Sequence, residues 1–464
     1  MKRSDQEWTP QEILVFCREK NVKAVDFRYT DLLGTQRRIS APVGRFDIDL
    51  FESGFAADGA GIALEADGAG DVLIVPQPER VYVDPFAEAP TLVVACNVQD
   101  PSTREDHASD PRSLALRAQN YLIASGAADA ASFAAEVDFY LFENVRFDSQ
   151  PAASFVFLDA PEQRSGVGRH GAHAAAVSEP LVDLRNEILL TALECGLEIE
   201  RQRSVPTAGR QCGIDLRPDD LVGAADAAMT LKYVVKNVAR KHGKTATFMP
   251  KPIYGEAGSG LRTHLSLSKD GQPLLAGSGY GGLSEAGLHA IGGILRHAPA
   301  LLAFCAPSTN SYKRLAAGTA DGPVRLGYSS RDRRAACRVP PGSQSPKTKR
   351  IEFRCPDPSA NPYLAFSAIL MAAIDGIQNK IHPGPPLDRD VLDDLNEDQG
   401  DPPLTPGSLA DSLRALQTDH DFLLRGDVFT PELIESWIAA KIEGELDPVR
   451  LRPHPHEFAM YFDV

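Results

Sequence analysis

The amino-acid sequence predicts an α+β protein in two parts: a small β-rich N-terminal domain, then a larger domain that mixes strands with helices. Three observations carry this. The first hundred residues hold short apolar, β-branched runs punctuated by turn residues. Beyond them, strand-like and helix-like runs are interspersed, the pattern of an α/β or α+β domain. The chain is also long enough, at 464 residues with 43% apolar and 24% charged residues, to bury a sizeable core.

The elements follow in order. Residues 22–29 and 36–43 flank Asp31-Leu32-Leu33-Gly34, which reads as a hairpin. Residues 91–98 (TLVVACNV) form a strand between Pro90 and Asp100. Asp110 and Pro111 supply an N-cap and a first helical residue for a helix reaching about residue 123. The domain boundary is placed just before it, giving 1–105 and 106–464. Strands are expected at 132–143, 197–205, 246–249 and 261–268, and helices at 182–195, 224–242, 284–303 and 361–377. Residues 385–404, rich in Asp and Pro, read as a surface loop, and 422–464 return to a helical pattern.

Charge and cysteine content exclude several classes. With 48 basic and 63 acidic residues the formal net charge is −15, against non-specific binding to nucleic acid or an anionic membrane. No run approaches ~20 consecutive apolar residues, so no membrane span is expected. Residues 1–7 turn acidic before any apolar stretch, unlike a secretory signal. The seven cysteines are scattered without a CxxC pair, which points to a reducing, cytoplasmic compartment.

Several segments are too specific for anonymous core: 244–252 (KTATFMPKP), 258–268 (GSGLRTHLSLS), 310–315 (NSYKRL), Arg333 with Arg338, 350–354 (RIEFR) and 356–363 (PDPSANPY). In register from about residue 22 to the final segment 458–464, the chain resembles the glutamine synthetase family, on its shorter bacterial-type branch. The resemblance implies an N-terminal β-grasp domain, a catalytic α/β domain, and a ring-shaped homo-oligomer, commonly two stacked hexamers, with sites between neighbouring subunits. It implies phosphorylation of the γ-carboxylate of glutamate by ATP, followed by displacement of phosphate by ammonia. Such chemistry needs divalent metals held by carboxylates and a histidine, arginines for phosphates and carboxylates, and a carboxylate that takes a proton from ammonium.

Carried over residue by residue, Arg314 and Arg354 match the positions that hold glutamate. Arg333 and Arg338 match those facing the ATP phosphates and the transferring phosphoryl group. Ser266, Lys347 and Arg350 match positions around the nucleotide, and Asp58 matches the aspartate that deprotonates ammonium in the adjacent subunit. Gly258 and His264 fall where the substrate binds, although two glycines in a turn are weak evidence alone and a structural His264 is an equal alternative.

The metal set departs from the family. Glu136, Asp138 and Glu352 remain, Asp138 being one methylene shorter than the family's glutamate. Two further metal glutamates align with Ser204 and Cys212, and the ligand histidine with Arg262. A guanidinium between carboxylates is a natural substitute for a metal ion, so Mg²⁺ or Mn²⁺ is doubted as cofactor while ATP is retained. On this view Glu136 and Glu352 neutralise Arg262, and Cys212 is an inert buried thiol rather than a reactive one. The serines after Asp58 are replaced by Ala60 and Gly61. The flap glutamate is represented only by Asp321, the ammonium-pocket tyrosine falls near Ala176, and the adenylylated tyrosine of some relatives is Leu392.

Three readings follow. The preferred one is a pseudoenzyme with a nucleotide- and glutamate-type pocket, partnered by an active synthetase paralogue or acting as a sensor. The alternative is an ATP-dependent carboxylate–amine ligase repurposed for another acid or amine. The third is an ordinary glutamine synthetase.

Overall fold

A computed structural model of the chain describes residues 8–59, 70–151, 153–159, 181–205, 211–316, 322, 323, 325–340, 345–388 and 402–464. The N-terminal part is a five-stranded sheet built from β1 (Ala24–Thr30), β2 (Gln36–Pro42), β3 (Phe55–Asp58), β4 (Asp71–Val83) and β5 (Thr91–Gln99), in the order β2-β1-β5-β4-β3. The expected hairpin is present: β1 and β2 pair antiparallel around Gly34, whose φ of 85° suits a residue without Cβ. β1 pairs parallel with β5, and the helix Pro10–Glu19 is capped by a reciprocal Thr9–Glu12 box. Val25, Phe27, Ile74, Leu92, Val94 and Val98 form this sheet's buried core. β4 was not anticipated, because Pro76 and Pro78 interrupt its apolar run; the register shifts between Pro76 and Val81 accommodate them.

The larger part is a nine-stranded sheet from β6 (Ala130–Phe142), β9 (Ile199–Val205), β10 (Gln211–Leu216), β11 (Thr245–Thr247), β12 (Leu261–Lys269), β13 (Gln272–Pro273), β14 (Arg325–Ser329), β15 (Ala335–Arg338) and β16 (Ile351–Phe353). Its path is β14-β15-β16-β12-β6-β10-β9, with β11 beside β6 and β13 beside β12. A separate hairpin pairs β7 (Asn144–Gln150) with β8 (Ala153–Asp159). Asp110 caps the helix Pro111–Ala124 by accepting from the backbone of Arg112 and Ser113. Of the expected loop at 385–404, the described ends include Leu404 bridged to Arg325; residues 389–401 lie outside the described set.

The helices Glu285–Cys305 and Pro362–Gln378 cross at the centre of the core. They approach so closely that a Cβ on Gly293 would strike the carbonyl of Ala372, and one on Gly376 that of His289. Glu285–Cys305 is long and apolar enough to cross a membrane by length and composition, which the expectation of no such stretch did not foresee. Its apolar window is 78% buried inside the fold, so its hydrophobicity serves the core.

Candidate active site

The site is a row of charged side chains running across six adjacent strands, and strand register makes the row. Residues directly opposite one another in paired strands share a face of the sheet. Arg338 on β15 pairs with Glu352 on β16, which pairs with His264 on β12. Two residues back on β12, Arg262 pairs with Glu136 on β6; Glu136 pairs with Asp215 on β10, and Asp215 with Arg201 on β9. A second line, Asp138–Gly213–Arg203, lies one repeat away on the same face.

These charges are in contact. Arg262 reaches Glu136 at 3.0 Å and Asp138 at 3.4 Å, so it lies between two carboxylates, but the second is Asp138 and not the expected Glu352, which Arg354 and Arg338 hold instead. Arg203 does more: it contacts Glu136 at 3.2 Å, Asp138 at 3.3 Å and Asp215 at 2.7 Å. Arg201 binds Asp215 through Nε, and His264 Nε2 lies 3.0 Å from Glu136. Gly213 makes the Arg203 contact possible, since a Cβ there would sit 2.8 Å from Asp138 Oδ1 and 2.9 Å from the Arg203 guanidinium. At the other end Glu352 is bound by Arg354 and, at 3.5 Å, by Arg338.

The electrostatics follow from this crowding. Burial favours the neutral form of Glu136. The hydrogen bond with His264 and the guanidiniums of Arg262 and Arg203 prevail, holding the carboxyl well below the usual carboxylate range. Glu352 is likewise lowered, with burial opposed chiefly by Arg354. Arg262 is raised, first by Asp138 and then by Glu136 against the cost of burial, so it stays charged.

The other expected residues divide into groups. Arg314 is buried and donates from its two terminal nitrogens to the carbonyls of Cys355 and Arg354, at 2.8 Å each. Gly258 and Gly260 pack against it, a Cβ on Gly258 falling 2.6 Å from Arg314 Cγ. Arg354 donates from Nε to the carbonyl of Arg333, whose side chain is exposed. As found, Arg314 and Arg354 hold this chain's own atoms. Ser266 donates to the carbonyl of Lys349, which fixes the segment carrying Lys347 and Arg350. Lys347 is exposed, and the Nε atoms of Arg338 and Arg350 are buried with no hydrogen-bond partner among the described residues. Asp58 ends β3 at the edge of the other sheet, exposed, and is not part of the row. Ala60, Ala176, Asp321 and Leu392 fall outside the described residues.

Two expectations need correction. Ser204 and Cys212, read as substituted metal ligands, pair with each other, and Cys212 pairs with the core residue Phe139. That register puts them on the face opposite the charged row, and Cys212 is 1% exposed within the apolar core. Conversely, Asp215 and the pair Arg201 and Arg203 belong to the site and were missed. Part of the signal was legible: Arg201 and Arg203 stand two apart within the strand expected at 197–205, whereas the face they share with Asp215, Glu136 and Asp138 is set by the pairing of separate strands.

The residues present do not fit a resident divalent metal pair. Glu136, Asp138, Asp215 and Glu352 each have a guanidinium in contact, whereas Mg²⁺ or Mn²⁺ requires about six oxygen ligands. Among the described residues no group of three or more His, Cys, Asp or Glu side chains is arranged to hold a metal ion.

Comparison with known proteins places this geometry. Residues 21–101 match the family model of the glutamine synthetase beta-Grasp domain, and residues 108–461 that of the glutamine synthetase catalytic domain. The chain belongs to the glutamine synthetase family. A protein of Frankia alni named glutamine synthetase is 44% identical, covering 98% of this chain and 99% of its own. One from Nostoc sp. (strain PCC 7120) is 42% identical over 98% and 100%. Among solved structures, the cryoEM structure of Plasmodium falciparum glutamine synthetase superposes with a TM-score of 0.88 at 24% identity, over 99% of this chain and 100% of that one, a likeness of fold. A GmaS/ADP complex superposes with a TM-score of 0.80 at 27% identity, over 97% and 99%. The expected β-grasp domain followed by a catalytic domain is therefore the family's fold.

The pseudoenzyme reading is overturned by these relatives. Full-length proteins more than 40% identical to this chain carry the name glutamine synthetase. The geometry changes which residues are at issue: Gly213 and Arg203, not Cys212 and Ser204, occupy the site-facing positions beside Asp138.

Proposed function

We propose that the protein is an ATP-dependent carboxylate–amine ligase of the glutamine synthetase type, joining the γ-carboxylate of glutamate to ammonia or a closely related amine. Full-length identity with proteins named glutamine synthetase carries this reading. The ADP complex of a structural neighbour supports a nucleotide as the phosphoryl donor.

The reaction proceeds in two displacements. A γ-carboxylate oxygen of glutamate attacks the γ-phosphorus of ATP, the bond to the β,γ-bridging oxygen breaks, and ADP leaves. The amine nitrogen then attacks the acyl carbon, the C–O bond to phosphate breaks, and inorganic phosphate leaves as the amine loses a proton. Arg338 and Arg350, with their unpartnered Nε atoms, are suited to the phosphates, together with Arg333 and Lys347. Arg314 and Arg354 shape the carboxylate-binding side by fixing the backbone between Arg333 and Cys355. His264 orients Glu136, and the missing Cβ of Gly258 leaves room for the Arg314 side chain. Asp58 takes the amine's proton in the site of a neighbouring copy. No step is assigned to a divalent ion, since Glu136, Asp138 and Glu352 are already neutralised.

The working form we propose is a homo-oligomer of stacked rings. Its support is apolar surface without a partner in the single chain: Phe147 (74% exposed), Phe155 and Val156 on the β7–β8 hairpin, and Phe458, Tyr461 and Phe462 near the C-terminus. Seven buried free thiols accord with a cytoplasmic setting.

The test is release of phosphate from ATP in the presence of glutamate, with ammonium and a panel of small amines. Amine-dependent release is expected, and the most effective amine names the second substrate. A folded protein silent with every amine, with or without Mg²⁺ or Mn²⁺, rejects the ligase.

A further inference from the structure

The charged row has more positive groups than its carboxylates can use. Four carboxylates, Glu136, Asp138, Asp215 and Glu352, face five guanidiniums, those of Arg201, Arg203, Arg262, Arg338 and Arg354. Arg201 holds Asp215 through Nε, its side chain is 60% exposed, and its terminal Nη2 comes no nearer to Glu136 than 4.0 Å. Arg262 keeps Nε and the remaining hydrogens of both terminal nitrogens beyond its contacts with Glu136 and Asp138. At the far end the Nε groups of Arg338 and Arg350 are buried without an acceptor among the described residues. Buried N–H groups left unmatched are costly, and an anion with many oxygens relieves that cost at several points together.

A divalent cation meets the opposite situation. Each of the four carboxylates already has a guanidinium in contact, Asp138 Oδ1 through its ion pair with Arg203 alone and without a hydrogen bond, and the fixed charges of Arg203 and Arg262 stand where a cation would have to enter. We infer that this row receives the nucleotide's polyphosphate as the free anion, with the guanidiniums in the place that a bound divalent ion takes elsewhere in the family. The inference rests on the ligase reading only in taking the polyphosphate to be that of a nucleotide. It concerns the bound form of the ligand and assigns no chemical step.

Titration calorimetry of the full chain with ATP, once in EDTA and once in excess Mg²⁺, tests it. Affinity in EDTA is expected to equal or exceed that in Mg²⁺. Arg203→Gln and Arg262→Gln should each weaken binding in EDTA by about tenfold, the loss of one charge-assisted contact. Because each strands carboxylates, Arg262→Lys is the companion variant: it keeps the charge and should retain most of the affinity. Elemental analysis of the purified protein should find Mg and Mn well below one per chain. Binding that requires Mg²⁺, or no binding in either condition, overturns the inference. The ligase assay is read separately: turnover in Mg²⁺ without binding in EDTA sinks the free-anion site and leaves the ligase. Binding in EDTA with no turnover for any amine does the reverse.

Discussion

At the scale of single residues, Gly213 decides whether the row can close. It lies between Asp138 and Arg203 on adjacent strands, and its missing Cβ leaves the space that the guanidinium crosses. The residues that a Cβ would strike are side-chain ends, which can move, so the strand itself should survive substitution. Gly213→Ala is therefore expected to cost about 1 kcal/mol of stability or a little more. Displacement of Arg203 should lower kcat/KM by about tenfold. Urea unfolding and the phosphate-release assay measure the two effects; equal severity in both would show that Gly213 matters only for packing. His297 offers a second residue-scale check. It lies between Asp375 at 3.1 Å and Asp419 at 2.9 Å, stacked on Phe422, with Arg425 also against Asp375. Burial alone would depress its pKa, but the bonds to Asp419 and Asp375 prevail and raise it above the ordinary 6.5. A raised native pKa stabilises the fold fully below about pH 6.5 and loses that contribution as pH climbs through the native value. Unfolding free energies between pH 6 and 9 should thus fall more steeply for the natural protein than for His297→Gln. Parallel curves would count against the charged imidazole.

At the scale of elements, the catalytic sheet rests on one helix crossing. Glu285–Cys305 and Pro362–Gln378 bring backbone against backbone at Gly293 and Gly376, and the obstructing atoms are carbonyl oxygens rather than movable side chains. Gly293→Ala gains helix propensity worth about 1 kcal/mol, yet it must separate two fully packed helices. A net loss of about 2–3 kcal/mol is expected from overpacking, read as a lower urea midpoint at unchanged slope. A neutral or stabilising result would mean that the helices have room to part. The elements also show where pattern reading works. Asp110, read as an N-cap, caps the helix that follows by accepting from its first turn; Asp220, Ser284 and Asn361 do the same for theirs without having been named as caps, and the helix after Asp220 begins at Leu221, ahead of the expected 224. β4 escaped because its prolines obey edge-and-bulge rules that a propensity scan does not weigh.

At the scale of the whole molecule, the exposed aromatics of the β7–β8 hairpin and of the C-terminal segment are the features a lone chain leaves unexplained. If copies of the chain cover them, Phe147→Asp with Val156→Asp should reduce the mass measured by light scattering to a smaller assembly. Loss of activity should follow, because Asp58 sits on a different sheet from the charged row and is proposed to serve a neighbour. An unchanged mass would assign the hairpin another role.

Much of this protein was legible in the sequence. Local chemistry fixed the helix capped by Asp110 and the first hairpin. Motifs spread from residue 22 to the C-terminus fixed the family, and the strand period put Glu136 and Asp138 on one face. What the order of residues could not give was the register between strands distant in the chain. Pairing Gly213 with Asp138, rather than Cys212 with Asp138, turned Cys212 and Ser204 toward the core and brought Arg203 and Asp215 into the site. A shift of one residue reverses every side chain in a strand. That register is set by how apolar faces pack across the whole sheet, so only the tertiary structure decided which charges meet.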